Sequence, residues 1–133
     1  MSQRKIFDSS AMVAVLLDSG SDGEWATQQL EGASVSAPSL MPFEAANIIR
    51  RSEQARLVSS DVAAQAHADL LRRSLDLWSY ESFAQRAWEL RHNLTSYDAS
   101  YVALAELIET PLVTLDRRIA KVRGLRCVVH SPR

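Results

Sequence analysis

Cysteine is scarce in this sequence, with Cys127 the single example among 133 residues. One cysteine cannot form an internal disulfide, and because Cys127 lies in an apolar stretch we expect it to be a small buried hydrophobe. A chain of this length, 47% hydrophobic, can bury roughly two thirds of its unfolded surface without disulfides or a structural metal. We therefore expect a single domain over residues 1–133, in a reducing compartment.

Long apolar runs are also missing. The longest run, Ala11–Leu17, is far shorter than the ~20 residues that a membrane-spanning helix needs. The basic N-terminus is followed by Asp8 rather than by the apolar segment of a signal peptide. The sequence therefore predicts a cytoplasmic protein with no membrane association.

A strong charge of either sign is absent as well, since the formal net charge is -1. No basic nucleic-acid-binding surface is evident at the level of the whole chain. Among the basic residues, however, only Lys5 and Lys121 are lysines, and several arginines are paired. The planar guanidinium suits phosphate, but paired arginines are also common on a solvated face. The pairs are Arg50/Arg51, Arg72/Arg73 and Arg117/Arg118.

Short apolar strands alternate with helices along the chain. Strands are predicted near residues 6–7, 34–37, 75–78, 112–114 and 126–129. This alternation is typical of an α/β fold, here a mostly parallel central sheet of four to five short strands flanked by helices on both faces.

Three of the predicted helices depend on capping or periodicity. Ser39 is the expected N-cap of a helix over residues 39–51, and a helix over residues 80–91 is expected to bury Trp88. The helix near residues 60–73 repeats apolar residues at i, i+4 and i+8, which predicts its buried stripe. That stripe comprises Val62, Ala66 and Leu70.

Four acidic residues follow strands or open helices in this pattern. Asp8 follows the first strand, Glu44 lies early in the helix after the second strand, and Asp116 follows the strand at 112–114. Asp98 lies in the opening turn of an apolar helix. Because such helices begin at the edge where parallel strands end, all four carboxylates should meet at the carboxyl edge of the sheet.

Each acid alone has a simpler explanation as a helix cap. Asp8 and Asp116 could be N-caps, and Asp98 could be the acidic residue of a capping box that begins at Thr95. Glu44 fits this explanation less well, because we expect it to lie beyond the first residues of its helix. Placing all four acids at one edge favours a role other than capping. Two carboxylates about 4 Å apart repel by roughly 4 kcal/mol at an effective dielectric of 20. A cluster of this kind implies a bound cation.

The chemistry of the donors indicates which cation. The cluster offers only oxygen, and the three histidines lack the spacing of a metal site or a catalytic pair. Oxygen donors favour Mg²⁺ or Mn²⁺, and the matching chemistry is metal-assisted phosphodiester hydrolysis. The histidines, which we expect to be structural or exposed, are His67, His92 and His130.

Four ordered motifs carry a family resemblance. They are Ile-Phe-Asp-Ser-Ser-Ala at 6–11, Pro-Ser-Leu-Met-Pro-Phe-Glu-Ala-Ala-Asn at 38–47, Tyr-Asp-Ala-Ser-Tyr-Val-Ala-Leu-Ala at 97–105 and Pro-Leu-Val-Thr-Leu-Asp-Arg-Arg-Ile-Ala at 111–120. As an ordered set they resemble the PIN domain, and closely the VapC-type toxins of bacterial VapBC toxin-antitoxin pairs. The resemblance implies a Mg²⁺- or Mn²⁺-dependent endoribonuclease directed at structured RNA such as tRNA or ribosomal RNA. It also implies a homodimer that a VapB-like antitoxin silences by covering the acidic groove.

The resemblance assigns roles to residues motif by motif. The metal-binding and catalytic quartet would be Asp8, Glu44, Asp98 and Asp116. Supporting or substrate-binding residues would be Ser10, Asn47, Thr114, Arg117 and Arg118. The chain departs from the family where Ser9 replaces a common threonine, and where Arg118 stands in place of a further acid found in some members. The second departure leaves open whether one or two ions bind.

Other protein classes fit the sequence less well. A non-catalytic flavodoxin-like binding or signalling domain of the receiver type would carry adjacent acids after the first strand and a lysine after the fifth. A haloacid-dehalogenase-like phosphatase would need Asp-x-Asp where this chain has Asp8-Ser9-Ser10. A histidine-based ribonuclease would work without metal and leave a 2',3'-cyclic phosphate.

Overall fold

A five-stranded parallel sheet forms the centre of the computed structural model, which describes residues 3–133. The strands are β1 (Gln3–Phe7), β2 (Ala33–Pro38), β3 (Leu75–Trp78), β4 (Leu112–Val113) and β5 (Val129–His130). Their order across the sheet is β3-β2-β1-β4-β5, and every neighbouring pair is parallel. The α/β prediction is confirmed, although the last strand lies at 129–130 rather than 126–129.

Six helices connect and cover the strands. They are α1 (Ser9–Leu17), α2 (Ser21–Leu30), α3 (Met41–Gln54), α4 (Ser60–Arg72), α5 (Ala84–Glu89) and α6 (Ser96–Leu107). Helices α1 to α4 pack on one another, whereas α6 packs on α5 and on the inner strands. The chain moves outward from β1 to β3 and then crosses back to β4, so right-handed connections place these two groups on opposite faces. None of the helices within residues 3–133 has the length and apolar character needed to cross a bilayer.

The middle of the sheet forms the core because helices cover it on both faces. Ile6 and Phe7 of β1 and Leu112 and Val113 of β4 are fully buried. In α6, every residue of Ala99–Ala105 is buried, as expected for a helix that is apolar on most sides. This packing fixes the ends of β1 and β4 side by side.

Helix α3 begins later than its sequence suggests. It starts at Met41, and its N-cap is Leu40, which makes no side-chain capping bond. The predicted cap at Ser39 is therefore wrong. Because the helix starts at Met41, Glu44 falls in the first turn, and the expectation that it lies beyond the first residues is also wrong. A carboxylate at this position is stabilised by the helix dipole.

Two predicted buried faces also need correction. In α4 the buried residues are Ala63, Ala66 and Leu70, while Val62 is 47% exposed. The i, i+3, i+7 spacing follows the 3.6-residue turn better than i, i+4, i+8. The predicted helix over 80–91 is a 3-10 turn at Tyr80–Ser82 followed by the short α5, and Trp88 is 61% exposed rather than buried.

Candidate active site

The predicted acids lie at the carboxyl edge of the sheet, where β1 and β4 end. The backbone N–H of Asp8 donates to the carbonyl of Val113 at 3.1 Å, so the ends of the two strands are directly joined. The chain leaves β1 toward β2 on one side and returns to β4 on the other, which makes this the topological switch point of the sheet. Parallel α/β sheets bind their ligands at such points.

The electrostatics of the acids show that they are close enough to repel one another. Burial is the largest cause of the raised pKa values of Asp8, Glu44 and Asp98, and charge repulsion adds to each. The charge of Asp98 raises the pKa of both Asp8 and Glu44, and the charge of Asp116 raises the pKa of Asp98. Asp98 is thus electrostatically coupled to the other three carboxylates.

Asp8 is the most buried of these acids, with 5% of its surface exposed. It is the N-cap of α1, the simpler of the two roles that the sequence left open, and its Oδ1 accepts from the Ala11 N–H at 2.9 Å and from the Ser10 hydroxyl at 2.6 Å. Its Oδ2 accepts from the Thr114 hydroxyl. Since each carboxylate oxygen has two lone pairs, Oδ2 retains one after these contacts.

Ser10 and Thr114 also connect the site to the loop after β4. The Ser10 hydroxyl accepts from the Leu115 N–H at 3.1 Å, and the Thr114 hydroxyl accepts from the Asp116 N–H at 2.9 Å. Both residues therefore contact Asp8 directly. They hold the start of α1 and the segment that carries Asp116 in one arrangement.

Burial has a larger effect on the pKa of Asp8 than these hydrogen bonds do. It raises the pKa of Asp8 from 3.8 to about 6, although bonds from Ser10, Thr114 and Ala11 act in the opposite direction. The ionised form is therefore disfavoured unless a cation compensates for its desolvation.

Tyr101 is a residue of the site that the sequence prediction missed. Its hydroxyl donates to Glu44 Oε1 at 2.6 Å, and burial together with this carboxylate raises the pKa of Tyr101 well above its ordinary value. The phenol therefore keeps its proton and stays a donor. The available signal was its position one turn after Asp98, which places it on the same face of α6.

The Tyr101→Phe variant tests this contact. The variant removes a hydrogen bond to the half-buried carboxylate of Glu44, so we expect the free energy of unfolding to fall by about 1–3 kcal/mol. Denaturant unfolding gives the value. The matched control is Tyr97→Phe on the same helix, whose 63% exposed side chain should make the loss of the hydroxyl neutral. Equal stability of both variants with the parent chain would show that the Tyr101 contact contributes nothing.

Asp98 lies in the first turn of α6, as predicted. Thr95 is the N-cap, and its hydroxyl accepts from the Asp98 N–H at 3.1 Å. Asp98 thus lies in a capped first turn and also belongs to the group of acids at this edge. Burial raises the pKa of Asp98, repulsion from Asp116 adds to it, and Arg118 partly offsets it.

Asp116 is tied to the arginine two residues after it. Arg118 donates through Nε to Oδ1 at 3.0 Å and through Nη2 to Oδ2 at 2.9 Å, and its backbone N–H donates to Oδ1 at 3.0 Å. Asp116 does not cap a helix, because residues 119–121 form only a 3-10 turn that follows Arg118. The guanidinium contact is the main reason why the pKa of Asp116 is lowered, in contrast to the other three acids.

Two predicted supporting residues have other contacts. Asn47 is exposed and accepts from Arg50 Nε at 3.1 Å. Arg117 donates to the carbonyls of Pro132 and Arg133 at 2.8 and 2.6 Å, so it fastens the end of the described chain. Cys127, predicted to be buried, is half-buried.

The donors at this edge suit a hard divalent ion, although they do not form a closed cage. Within residues 3–133, no three His, Cys, Asp or Glu side chains stand in an arrangement that could by itself hold a metal. Mg²⁺ usually takes only one or two carboxylates and keeps several waters. The all-oxygen set, the mutual repulsion and the remaining lone pair of Asp8 are compatible with such an open site.

Comparison with known proteins gives the family and the fold of the chain. The PIN domain family model matches residues 5–125. Ribonuclease VapC12 of Mycobacterium tuberculosis is 33% identical over 119 residues, which cover 90% of this chain and 92% of that protein. Among solved structures, PAE2754 from Pyrobaculum aerophilum is 27% identical with a TM-score of 0.62, over 97% of this chain and 92% of the other.

A further solved structure shares the fold at lower identity. VapBC2 from Rickettsia felis, solved with a DNA fragment from its promoter, contains a chain that is 12% identical with a TM-score of 0.67. The match covers 98% of this chain and 100% of the other. At this identity the likeness concerns the fold alone.

Proposed function

The chain belongs to the PIN domain family, and from that premise we propose that it is an endoribonuclease toxin that hydrolyses RNA phosphodiester bonds with the help of Mg²⁺ or Mn²⁺. The observation that supports this best is the coupling of Asp98 to three other carboxylates at the switch point of the sheet. The similarity to Ribonuclease VapC12 supports the choice of RNA as substrate. A non-catalytic flavodoxin-like binding domain is disfavoured, because the family match and the similarity to a ribonuclease give it no support.

The four acids have different roles in this proposal. Asp8, Glu44 and Asp98 would hold the ion only together with several bound waters, since in the part of the chain that the structure describes these carboxylates alone are not arranged to hold a metal. The free lone pair of Asp8 Oδ2 would be directed to the ion. When bound, a divalent ion activates water and stabilises charge on the leaving oxygen. Ser10 and Thr114 orient Asp8, and Tyr101 orients Glu44, through the hydrogen bonds described above.

Biological partners follow from the resemblance rather than from contacts in this chain. We propose a cytoplasmic homodimer that acts on structured RNA such as tRNA or ribosomal RNA. A VapB-like antitoxin would inhibit it by covering the acidic edge. Arg117 and Arg118, which follow Asp116 at this edge, are the proposed contacts to the RNA backbone, since guanidinium groups suit phosphate.

Cleavage by the purified protein tests the function. With Mg²⁺ or Mn²⁺, a total RNA preparation should give discrete fragments, and EDTA should abolish their formation. A parallel preparation of Asp8→Asn controls for contaminating nucleases and should be inactive with either ion. Equal cleavage in EDTA would contradict metal-dependent hydrolysis.

The contact between Arg118 and Asp116 favours a single ion. The guanidinium of Arg118 already neutralises Asp116, the carboxylate that a second ion would need. The side chain of Arg118 is 88% exposed, and exposed ion pairs contribute only about 0–1 kcal/mol, so the arginine competes with an ion without excluding it. We propose that one ion binds to Asp8, Glu44 and Asp98 while Arg118 occupies Asp116.

The Arg118→Ala variant should therefore bind Mn²⁺ more tightly. Release of Asp116 adds a free carboxylate beside Asp98, and the modest strength of the lost pair limits the gain to about fivefold. Electron paramagnetic resonance of free Mn²⁺ gives affinity and stoichiometry without any RNA. Arg117→Ala removes the same charge from the neighbouring residue and should change the affinity less. Two Mn²⁺ ions bound to the parent chain would contradict the single-ion proposal.

A further inference from the structure

Two aromatic rings beside the acids are exposed to solvent. Phe43 is 79% exposed and Tyr97 is 63% exposed. Each immediately precedes one of the acids, Glu44 and Asp98, in the first turns of α3 and α6. Both helices begin at the carboxyl edge of the sheet, so the two rings and the acids share one end of the molecule.

The other exposed rings have partners within the chain. Tyr80 packs edge-on against Phe83, with ring centroids 5.8 Å apart. The guanidinium of Arg91 lies 4.6 Å from the ring centroid of Trp88. Across residues 3–133 no stacking or cation-π partner of this kind is found for the rings of Phe43 and Tyr97. Packing therefore does not account for their position.

Helix geometry separates each ring from the acid that follows it. Successive residues of an α-helix point about 100° apart around its axis. Glu44 and Asp98 are both turned inward far enough to be raised in pKa by burial, which leaves the preceding rings turned toward solvent at the margin of the cluster.

Arg117 and Arg118 are the charged contacts proposed for RNA at this edge, and the acids oppose them. The chain has a formal net charge of -1, and the cluster itself repels phosphate until a cation binds. Stacking of a base on an aromatic ring does not depend on charge and contributes about 1–3 kcal/mol per base. Stacking therefore adds an attraction for nucleic acid that the acids do not oppose.

We propose that Phe43 and Tyr97 are stacking platforms for bases of the nucleotides that flank the cleaved phosphate. This inference rests on the proposed ribonuclease function and narrows its substrate. A base inside an A-form duplex has no free face, whereas bases of loops and bulges can be splayed out onto side chains. The enzyme therefore cuts at unpaired nucleotides.

Steady-state cleavage of two RNAs tests the proposal. One is a short unpaired oligonucleotide that the parent enzyme cuts, and the other is the same strand annealed to its complement. Phe43→Ala and Tyr97→Ala should each raise KM for the unpaired RNA by about 5- to 150-fold, the equivalent of one lost stacking contact. The kcat should change little because the acids remain. The parent enzyme should cut the annealed strand at least tenfold more slowly.

Control variants separate stacking from other effects. Phe43→Trp keeps a ring and should retain the KM of the parent, whereas Phe43→Leu keeps an apolar side chain and should behave like Phe43→Ala. Trp88→Ala removes an exposed ring on α5 and should leave KM unchanged. Because the rings of Phe43 and Tyr97 are exposed, thermal unfolding of the variants at these two positions should match the parent.

Three results would overturn the proposal. Unchanged KM in both alanine variants would show that the rings do not contact RNA, and equal cleavage of the annealed strand would show that unpaired bases are not needed. Loss of antitoxin inhibition with unchanged RNA kinetics would assign the rings to the antitoxin instead. Failure of the parent enzyme to cut any RNA would count against the proposed function itself, and is thereby distinguished from these outcomes.

Discussion

The Asp98→Asn variant should lose RNA cleavage and, without divalent ions, unfold at a higher temperature than the parent protein. Asp98 is the carboxylate coupled to the other three, so its removal takes one proposed ligand from the ion. We expect kcat/KM to fall by about 10³-fold or more. The same change removes the repulsion that raises the pKa of Asp8 and Glu44, which should stabilise the ion-free fold.

Opposite effects on activity and stability distinguish this prediction from simple damage to the fold. Thermal unfolding in EDTA and cleavage in Mg²⁺ are measured on the same preparations. Asp61→Asn is the matched control, because Asp61 also lies in the first turn of a helix, α4. It should keep full activity and lose at most about 0.3–1 kcal/mol from the dipole interaction. A less stable Asp98→Asn variant would contradict the repulsion that we assign to the cluster.

Stability of the ion-free protein should fall as the pH rises through about 6. Burial raises the pKa of Asp8 from 3.8 to about 6, so between these values the folded protein binds a proton that the unfolded chain has released. Low pH therefore stabilises the native state. The stability that proton binding to Asp8 contributes is fully present below pH 3.8 and is lost above about pH 6. The difference between these two pKa values corresponds to ~3 kcal/mol in the free energy of unfolding.

Denaturant unfolding in EDTA at several pH values measures this contribution. Asp8→Asn is the reference, because asparagine is an equally good N-cap and cannot titrate. The free energy of unfolding of the parent, relative to this variant, should drop by up to ~3 kcal/mol between pH 4 and pH 7. A difference that stays constant across this range would show that Asp8 is ionised throughout.

Added Mg²⁺ should restore the lost stability only at pH values at which Asp8 is ionised. At about 100 times its dissociation constant an ion stabilises the native state by ~2.7 kcal/mol. A protonated carboxyl has less affinity for the ion, so the stabilisation by Mg²⁺ should be large at pH 7.5 and small at pH 4.5. Asp8→Asn should show little stabilisation at either pH.

Much of the fold could be predicted because local patterns and topology agree. Apolar segments such as Ile6–Phe7 and Leu112–Val113 form central strands, and the rule that helices start at the carboxyl edge placed the acids correctly. Boundaries were less predictable. Helix α3 starts at Met41 without a side-chain cap, and only the packing shows that Glu44 lies in its first turn.

The contacts between side chains could not be predicted from spacing. Tyr101 and Glu44 are separated by 57 positions in the sequence, so no local pattern connects them. Trp88 is exposed because it lies on the solvent side of a short helix, and the other side of this helix is buried. The pairing of Arg118 with Asp116 was also missed, because adjacent arginines in a sequence give no sign of which one folds back on an acid.

The chemical ends of the RNA products test the central claim most directly. Hydrolysis by a metal-activated water leaves a 5'-phosphate and a 3'-hydroxyl, whereas attack by the neighbouring 2'-hydroxyl leaves a 2',3'-cyclic phosphate. Ligation-based sequencing of fragments made in Mg²⁺, with and without prior phosphorylation, distinguishes the two. The four-acid site predicts fragments that ligate directly through their 5'-phosphates. Fragments that ligate only after phosphorylation and carry cyclic-phosphate ends would contradict it.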